Sequence, residues 1–231
     1  MITHVQVSLD LLTIDAALDL AAAAVRAGVD WLEAGTPLLL AEGQRAVTAL
    51  RDAFPGVPIV ADIKAMDGGG LETEMMLRAG ATMVVVMGQA HDATIAAAVA
   101  AARRFPGAQI VCDLMLCPNK PLRARQVEVL GVHAISVHTG YDERTMHAER
   151  TPLDDLAAVV AAVSIPVQAV GGLSVEQALA TVRLGARSVV FGAPLAIAGT
   201  DAHPDAENRL RDVVHLVRAL DTDGRSNGGE G

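Results

Sequence analysis

The sequence predicts an α/β fold, a single-domain (β/α)8 barrel. Three observations support this prediction: a repeated sequence unit of about 26 residues, a chain length of 231 residues, and short apolar runs rich in β-branched residues. The unit has the length of one strand and one helix, and 231 residues suit one barrel of this kind.

The repeat is marked by glycines that end helical stretches. Four glycines share this context, each after an Ala/Leu-rich stretch and before a β-branched run: Gly28, Gly80, Gly131 and Gly185. Their spacings are 52, 51 and 54 residues, and glycine tolerates the positive φ that often follows a helix. Proline-containing breaks lie between them and halve the repeat, at residues 54–56, 105–107 and 164–166.

Each unit supplies one strand and one helix. Strands are predicted at residues 4–9, 30–34, 58–63, 82–87, 109–114, 133–138, 165–170 and 187–191. Helices are predicted at residues 14–27, 41–53, 70–79, 92–104, 120–130, 152–162, 174–184 and 205–220. An open doubly wound sheet is less favoured, because no Gly-x-Gly-x-x-Gly follows the first strand. The barrel is predicted to span residues 1–223, and the Gly/Ser/Asn-rich tail 224–231 is expected to be disordered.

Composition argues against two classes of function. The net charge is −9 and aromatic residues make up 2%, so nucleic-acid binding is not expected. No apolar run reaches the length of a membrane span, and Asp15 and Asp19 interrupt the N-terminal apolar stretch, so no signal peptide is expected. Cys112 and Cys117 are too few for a disulfide framework or a zinc site, and a reducing, cytoplasmic location is expected.

Polar side chains gather at the carboxyl ends of the predicted strands, where barrel enzymes place their chemistry. These strand-end residues are Asp10, Glu33, Asp62, Lys64, Asp113 and His138, and Asp67 follows in the loop after the third strand. A single strand-end aspartate is usually a helix cap, and a lone histidine is usually structural. The grouping of so many on one rim nevertheless favours a functional site.

The charges of this group point to a metal. Five carboxylates converge with one lysine, and such a cluster cannot stay ionised and dry without more positive charge. A hard divalent cation supplies it, so Mg²⁺ (or Mn²⁺) is expected, with Glu33 and Asp62 as the best-placed ligands. The alternative is that some carboxylates protonate or pair elsewhere, for example with Arg45 or Arg78.

Small residues follow the last two predicted strands, at Gly171, Gly172, Gly192 and Ala193. The loops after strands 7 and 8 form the phosphate site of many barrels, where bare N–H groups face the anion. Paired glycines also form ordinary tight turns. Their position after both of these strands is what predicts a phosphate site.

Several motifs resemble those of one family. Residues 62–67, Asp-Ile-Lys-Ala-Met-Asp, fit the Asp-x-Lys-x-x-Asp motif of the orotidine 5'-phosphate decarboxylase suprafamily. Residues 33–38, Glu-Ala-Gly-Thr-Pro-Leu, and residues 137–142, Val-His-Thr-Gly-Tyr-Asp, narrow the resemblance. Together they resemble the 3-hexulose-6-phosphate synthase / 3-keto-L-gulonate-6-phosphate decarboxylase family, from about residue 4 to residue 218.

The resemblance implies a phosphorylated ketose substrate, an enediolate intermediate and Mg²⁺. Glu33 and Asp62 would bind the metal, Lys64 would contact the enediolate oxygen, and His138 would be the acid or base nearest the reacting carbon. Asp67 would lie across the interface of a homodimer, next to the active site of the partner subunit. Such a dimer would share its active sites between subunits.

The resemblance also implies how the substrate is held. Asp10 and Asp113 would orient the substrate hydroxyls. The backbone groups that would hold the phosphate are those of Gly171, Gly172, Gly192 and Ala193.

Three functions are consistent with this site. The first is a Mg²⁺-dependent aldolase that condenses D-ribulose 5-phosphate with formaldehyde, reversibly. Residues 138–140 and Ala193 favour it, because the family's decarboxylases usually carry arginines near these positions. The second is decarboxylation of a 3-keto sugar-acid 6-phosphate. The third, a catalytically silent barrel that binds a sugar phosphate, is disfavoured by the complete set of catalytic residues.

Overall fold

Parallel strands form a closed barrel of eight within residues 2–226, the part of the chain that the computed structural model describes. The strands are β1 (His4–Leu9), β2 (Trp31–Ala34), β3 (Ile59–Ala65), β4 (Met83–Met87), β5 (Gln109–Asp113), β6 (Ala134–His138), β7 (Val167–Val170) and β8 (Ser188–Phe191). Each strand pairs with its neighbours in sequence order, and β8 closes the barrel against β1. The predicted single-domain barrel is therefore confirmed.

Helices surround the barrel and connect its strands. They are α1 (Ile14–Ala27), α2 (Thr36–Glu42), α3 (Gln44–Ala53), α4 (Gly69–Arg78), α5 (Asp92–Ala102), α6 (Lys120–Val129), α7 (Tyr141–Met146), α8 (Leu153–Val160), α9 (Val175–Arg183) and α10 (Ala206–Ser226). The four repeat glycines follow helices with φ between 90° and 109°, which confirms the physical basis of the repeat.

The single helix predicted at residues 41–53 is wrong in its extent. Two helices, α2 and α3, occupy this region and are separated by Gly43, whose φ of 63° and ψ of −155° interrupt the helix. Pro37 lies in the first turn of α2. Backbone N–H groups in this turn have no acceptor within the helix, so the N–H that proline lacks costs no helical hydrogen bond. Two short additions were also not predicted: α7 after β6, and a hairpin of β9 (Ile197–Ala198) and β10 (Asp201–Ala202) after β8.

The alternation of side chains along each strand separates the core from the site. In β1, Val5, Val7 and Leu9 pack outward into the large apolar core that the helices cover. Gln6 and Ser8, at the intervening positions, line the cavity inside the barrel. A smaller apolar cluster comprises Val60, Met83, Val85 and Val111.

The C-terminal helix α10 continues to Ser226, so it includes the first residues of the segment 224–231, for which disorder is expected from the sequence. Residues 227–231 of that segment lie outside the described residues. None of the helices between residues 2 and 226 combines the length and apolar character needed to cross a bilayer.

At the amino end of the barrel, Asp30 links α10 to the first strand. Nη2 of Arg218 lies 2.6 Å from both carboxylate oxygens of Asp30, and the backbone N–H of Val5 donates to Asp30 at 2.7 Å. Partial burial alone would raise the pKa of Asp30, but the nearby His4 ring and the hydrogen bonds from Arg218 and Val5 lower it from 3.8 to about 2. The ionised carboxylate therefore stabilises the folded chain.

Replacing Asp30 by alanine should lower the free energy of unfolding by about 2–3 kcal/mol at pH 7, because a paired, partly buried carboxylate is lost. The folded pKa of Asp30 lies below its unfolded value, so this stabilisation is present above about pH 4 and disappears as the pH falls towards 2. Urea unfolding of both proteins from pH 7 down to pH 3 measures the difference. A gap that stays constant over this range would show that the ion pair is not its source.

Candidate active site

A cavity of about 490 Å³ opens at the carboxyl ends of the barrel strands. It is lined by the strand-end residues that the sequence indicates, Asp10, Glu33, Asp62, Lys64, Asp113 and His138. The residues expected to hold a phosphate also line it, Gly171, Gly172, Gly192 and Ala193. The structure thus brings together every predicted site residue except Asp67.

Lys64 lies within the carboxylate cluster. Its Nζ is 2.7 Å from Oδ2 of Asp62 and 3.6 Å from Oδ2 of Asp113. Burial alone would lower the pKa of Lys64, but these carboxylates raise it well above its usual range. The side chain is therefore a fixed ammonium group that can stabilise negative charge developing on a substrate oxygen.

The backbone of β3 is irregular at this lysine. Lys64 has a φ of 47°, which is costly for a residue with a Cβ, and the register between β3 and β4 shifts between Ala61 and Ala65. Such a bulge changes the direction of side chains along a strand. Strain of this kind persists where the surrounding structure enforces it, and here it lies at the centre of the cavity.

Glu33 is a buried carboxylate with two hydrogen-bond donors. It accepts from Nε2 of Gln6 and, at 2.9 Å, from Oγ of Ser8. Burial, together with the negative charges of Asp62 and Asp10, raises the pKa of Glu33 to about 8. A nearby cation would relieve this repulsion and favour the ionised form.

Asp62 lies beside Glu33 on the adjacent strand and keeps one oxygen unpartnered. Its Oδ2 accepts from Oγ1 of Thr36 at 2.9 Å and from Lys64, whereas Oδ1 is buried without a hydrogen-bond partner in the described residues. Buried polar atoms are nearly always paired, so this oxygen is suited to a ligand.

These two carboxylates fit a hard cation held partly by other ligands. Between residues 2 and 226, no group of three or more His, Cys, Asp and Glu side chains forms a metal site by itself. Mg²⁺ is usually held by one or two carboxylates together with water and substrate oxygens. The free Oδ1 of Asp62 and the repulsion at Glu33 match that donor set.

His138 and Asp113 form a hydrogen-bonded pair on β6 and β5. Nδ1 of His138 lies 2.7 Å from Oδ2 of Asp113, whose Oδ1 accepts from the backbone N–H of Met115 at 2.8 Å. Burial would raise the pKa of Asp113, but His138, Lys64 and this N–H lower it. The ionised Asp113 orients the imidazole and leaves Nε2 as the ring nitrogen available for proton transfer.

Two supporting side chains, Gln6 and Ser8, were not identified from the sequence, and Thr36 was recognised only as part of the motif at residues 33–38. The Ser8 hydroxyl lies 3.0 Å from Oδ1 of Asp10 and 2.9 Å from Oε1 of Glu33, and its single proton can be donated to only one of these carboxylates at a time. Burial raises the pKa of Asp10 despite this hydrogen bond. The spacing of Gln6, Ser8 and Asp10 by two residues was the available signal, since it places all three on one face of β1.

Glycines form one wall of the cavity because side chains do not fit there. Gly171 has a φ of 130°, and a Cβ on it would lie 2.5 Å from the carbonyl oxygen of Thr139. Gly172 has a φ of 57°. Open backbone of this kind after β7 and β8 suits close approach of an anion.

Asp67 lies outside this cavity. Its side chain is exposed, and Oδ1 accepts a hydrogen bond of 2.8 Å from the backbone N–H of Gly68. Asp67 is therefore not brought to the site of its own chain.

The chain is similar to proteins of known activity over nearly its whole length. It is 38% identical to a 3-hexulose-6-phosphate synthase of Mycobacterium gastri, covering 90% of this chain and 98% of that one. The crystal structure of 3-hexulose-6-phosphate synthase from Salmonella typhimurium is 31% identical, with a TM-score of 0.86 over 94% of this chain and 99% of that one. A crystal structure of KGPDC from Streptococcus mutans is 25% identical, with a TM-score of 0.80 over 95% and 99% of the two chains.

The pattern of one protein family extends over both the barrel and its cavity. It matches residues 3–209, from the start of β1 into α10. The matched range contains every strand-end residue described above, as well as the glycines after β7 and β8. The chain belongs to the Orotidine 5'-phosphate decarboxylase / HUMPS family.

Proposed function

We propose that the chain is an aldehyde-lyase of the 3-hexulose-6-phosphate synthase type, which condenses D-ribulose 5-phosphate with formaldehyde in a reversible reaction. The observation that carries this proposal is that Lys64 and the His138–Asp113 pair lie in one cavity whose lining also includes Gly171, Gly172 and Gly192. Relatives that are 3-hexulose-6-phosphate synthases support it at 35–38% identity over most of their length.

The side chains account for the proton transfers of this reaction. Nε2 of His138 accepts the proton from the ketose carbon next to the carbonyl, and that carbon then forms a bond to the carbon of formaldehyde. The ammonium of Lys64 stabilises the negative charge on the enediolate oxygen. Asp10 and Asp113 orient the hydroxyl groups. The former formaldehyde oxygen takes up one proton, which balances the reaction.

Glu33 and Asp62 are the residues that would hold Mg²⁺ (or Mn²⁺). When bound, the ion would supply positive charge that stabilises an enediolate. The raised pKa of Glu33 and the unpartnered Oδ1 of Asp62 support this assignment.

Decarboxylation of a 3-keto sugar-acid 6-phosphate is the second candidate, because the same cavity would stabilise the enediolate left when CO₂ departs. The similarity to KGPDC favours it, at 25% identity. The synthases are more similar in sequence, so the aldolase is preferred.

A homodimer with shared active sites would give Asp67 a role. Several apolar side chains are exposed to solvent near Asp67 in the sequence or on α2. The exposed fractions are 83% for Leu40, 70% for Leu71 and 51% for Met66. Such side chains in a group are typical of an interface. The free thiols Cys112 and Cys117 agree with a cytoplasmic enzyme, because that compartment keeps thiols reduced.

A coupled assay with D-ribulose 5-phosphate, formaldehyde and Mg²⁺ tests the proposal. Both substrates should disappear together, and EDTA should reduce the rate to background until Mg²⁺ is restored in excess. Activity that is unchanged in EDTA would contradict the metal assignment. No consumption by folded, Mg²⁺-supplied protein would contradict the aldolase, and CO₂ release from a 3-keto sugar-acid 6-phosphate would then establish the second candidate.

A further inference from the structure

An arginine lies at the glycine-lined end of the cavity and has no part in the proton transfers. Arg144, on α7, lines the cavity next to Gly172. We propose that Arg144 binds the phosphate group of the substrate and so determines that the enzyme takes a phosphorylated sugar. This inference rests on the proposed function, because it assigns the contact that holds the phosphate of that substrate.

The guanidinium of Arg144 lies against the expected phosphate site. A Cβ on Gly172 would overlap Nη1 of Arg144 and would lie 3.0 Å from Nη2. In its present position the guanidinium therefore occupies the space that a side chain at position 172 would enter. Both terminal nitrogens thus lie beside the backbone of Gly172, on the glycine-lined wall of the cavity.

Two contacts hold the arm of Arg144 while leaving these nitrogens available. Its Nε donates to the carbonyl oxygen of Thr139 at 3.3 Å, and its Cζ lies 5.6 Å from the centre of the Tyr141 ring. A guanidinium fixed through Nε presents its remaining N–H groups as a planar fork, the geometry that suits phosphate.

The charge of Arg144 is not neutralised by the protein. Among the side chains that the structure describes, no carboxylate lies within ion-pair distance of its guanidinium, whereas Lys64 in the same cavity is paired with Asp62 and Asp113. Partial burial lowers the pKa of Arg144, although a guanidinium stays charged. A cavity lined by several carboxylates needs such a cation if it is to bind a phosphate dianion.

The loop after β8 increases the need for the positive charge of Arg144 in phosphate binding. Pro194 follows Ala193 and has no N–H to donate, so the backbone of that loop offers one donor fewer. Arg144 lies beside Gly172 on the glycine wall, whereas Lys64 lies at the reacting end of the cavity. This position favours binding of the substrate's phosphate by Arg144 over contact with the reacting atoms. The guanidinium therefore complements the backbone donors of the glycine wall.

The test compares Arg144→Ala with Arg144→Lys and with Arg150→Ala, which removes an exposed arginine that does not line the cavity. In Arg144→Ala, the KM for D-ribulose 5-phosphate should rise by about tenfold to a hundredfold with little change in kcat, because a uniform binding contact is lost. The KM for formaldehyde should stay the same. The KM of Arg144→Lys for D-ribulose 5-phosphate should lie between the values of Arg144→Ala and the wild type. The KM of Arg150→Ala should match that of the wild type.

Calorimetric binding of inorganic phosphate separates this inference from the proposed function. Phosphate binding by the wild type that is lost in Arg144→Ala would support the role of Arg144 even if no aldolase activity were found. Conversely, an active enzyme whose KM for D-ribulose 5-phosphate and phosphate affinity are unchanged in Arg144→Ala would overturn the inference and leave the function standing. An equal loss in Arg150→Ala, or no phosphate binding by the wild type, would also overturn it.

Discussion

Replacing Lys64 by alanine should abolish turnover, with kcat/KM falling by about a thousandfold or more. The ammonium is the positive group that the described cavity holds between Asp62 and Asp113. Without it, the negative charge of the enediolate would develop beside Asp62 and Asp113, and no protein cation at this reacting end of the cavity would oppose it. The kcat/KM for D-ribulose 5-phosphate, measured with saturating Mg²⁺ and formaldehyde, gives the size of the loss.

The chain offers a matched control for this variant. Lys120 is the other lysine of the sequence, and it pairs with Asp155 away from the cavity, with 2.5 Å between Nζ and Oδ2. Lys120→Ala should keep most of the activity, while circular dichroism should show that both variants retain the barrel. Substantial activity in folded Lys64→Ala would remove this lysine from the mechanism.

Replacing Asp67 by alanine should also abolish turnover, although Asp67 lies outside the cavity of its own chain. The proposed dimer explains this expectation, because each active site would contain Lys64 of one subunit and Asp67 of the other. When inactive Lys64→Ala and Asp67→Ala proteins exchange subunits, each mixed dimer should contain one intact site. About a quarter of the wild-type activity should then return at a one-to-one ratio.

The control for this experiment mixes Lys64→Ala with His138→Ala. Both residues line the cavity of one chain, so every mixed dimer carries a lesion in each site and should stay inactive. Recovery in this control would mean that subunit sharing is not the cause. No recovery in the Lys64 and Asp67 mixture, after mass spectrometry has verified exchange, would contradict shared sites.

The positions of most elements and site residues follow from local sequence. Each strand is marked by an apolar run that ends in a break, and polar residues late in the run or directly after it reach the same rim of the barrel. For that reason the local pattern alone is enough to assign Asp10, Glu33, Asp62, Asp113 and His138 to one cavity. The extent of α2 and α3 is harder to predict, because Gly43 interrupts a stretch whose apolar pattern is continuous.

The barrel, its rim of carboxylates and its glycine-rich end can be predicted from the sequence, because strand and helix periods are local and parallel strands align their ends. Which charged groups meet in the cavity depends on the three-dimensional packing of the chain. Three features depend on how segments far apart in the chain pack together. They are the bulge at Lys64, the contacts of Ser8 with two carboxylates and the position of Arg144 beside Gly172. Such contacts are fixed when the barrel closes and packs, and no local pattern encodes them.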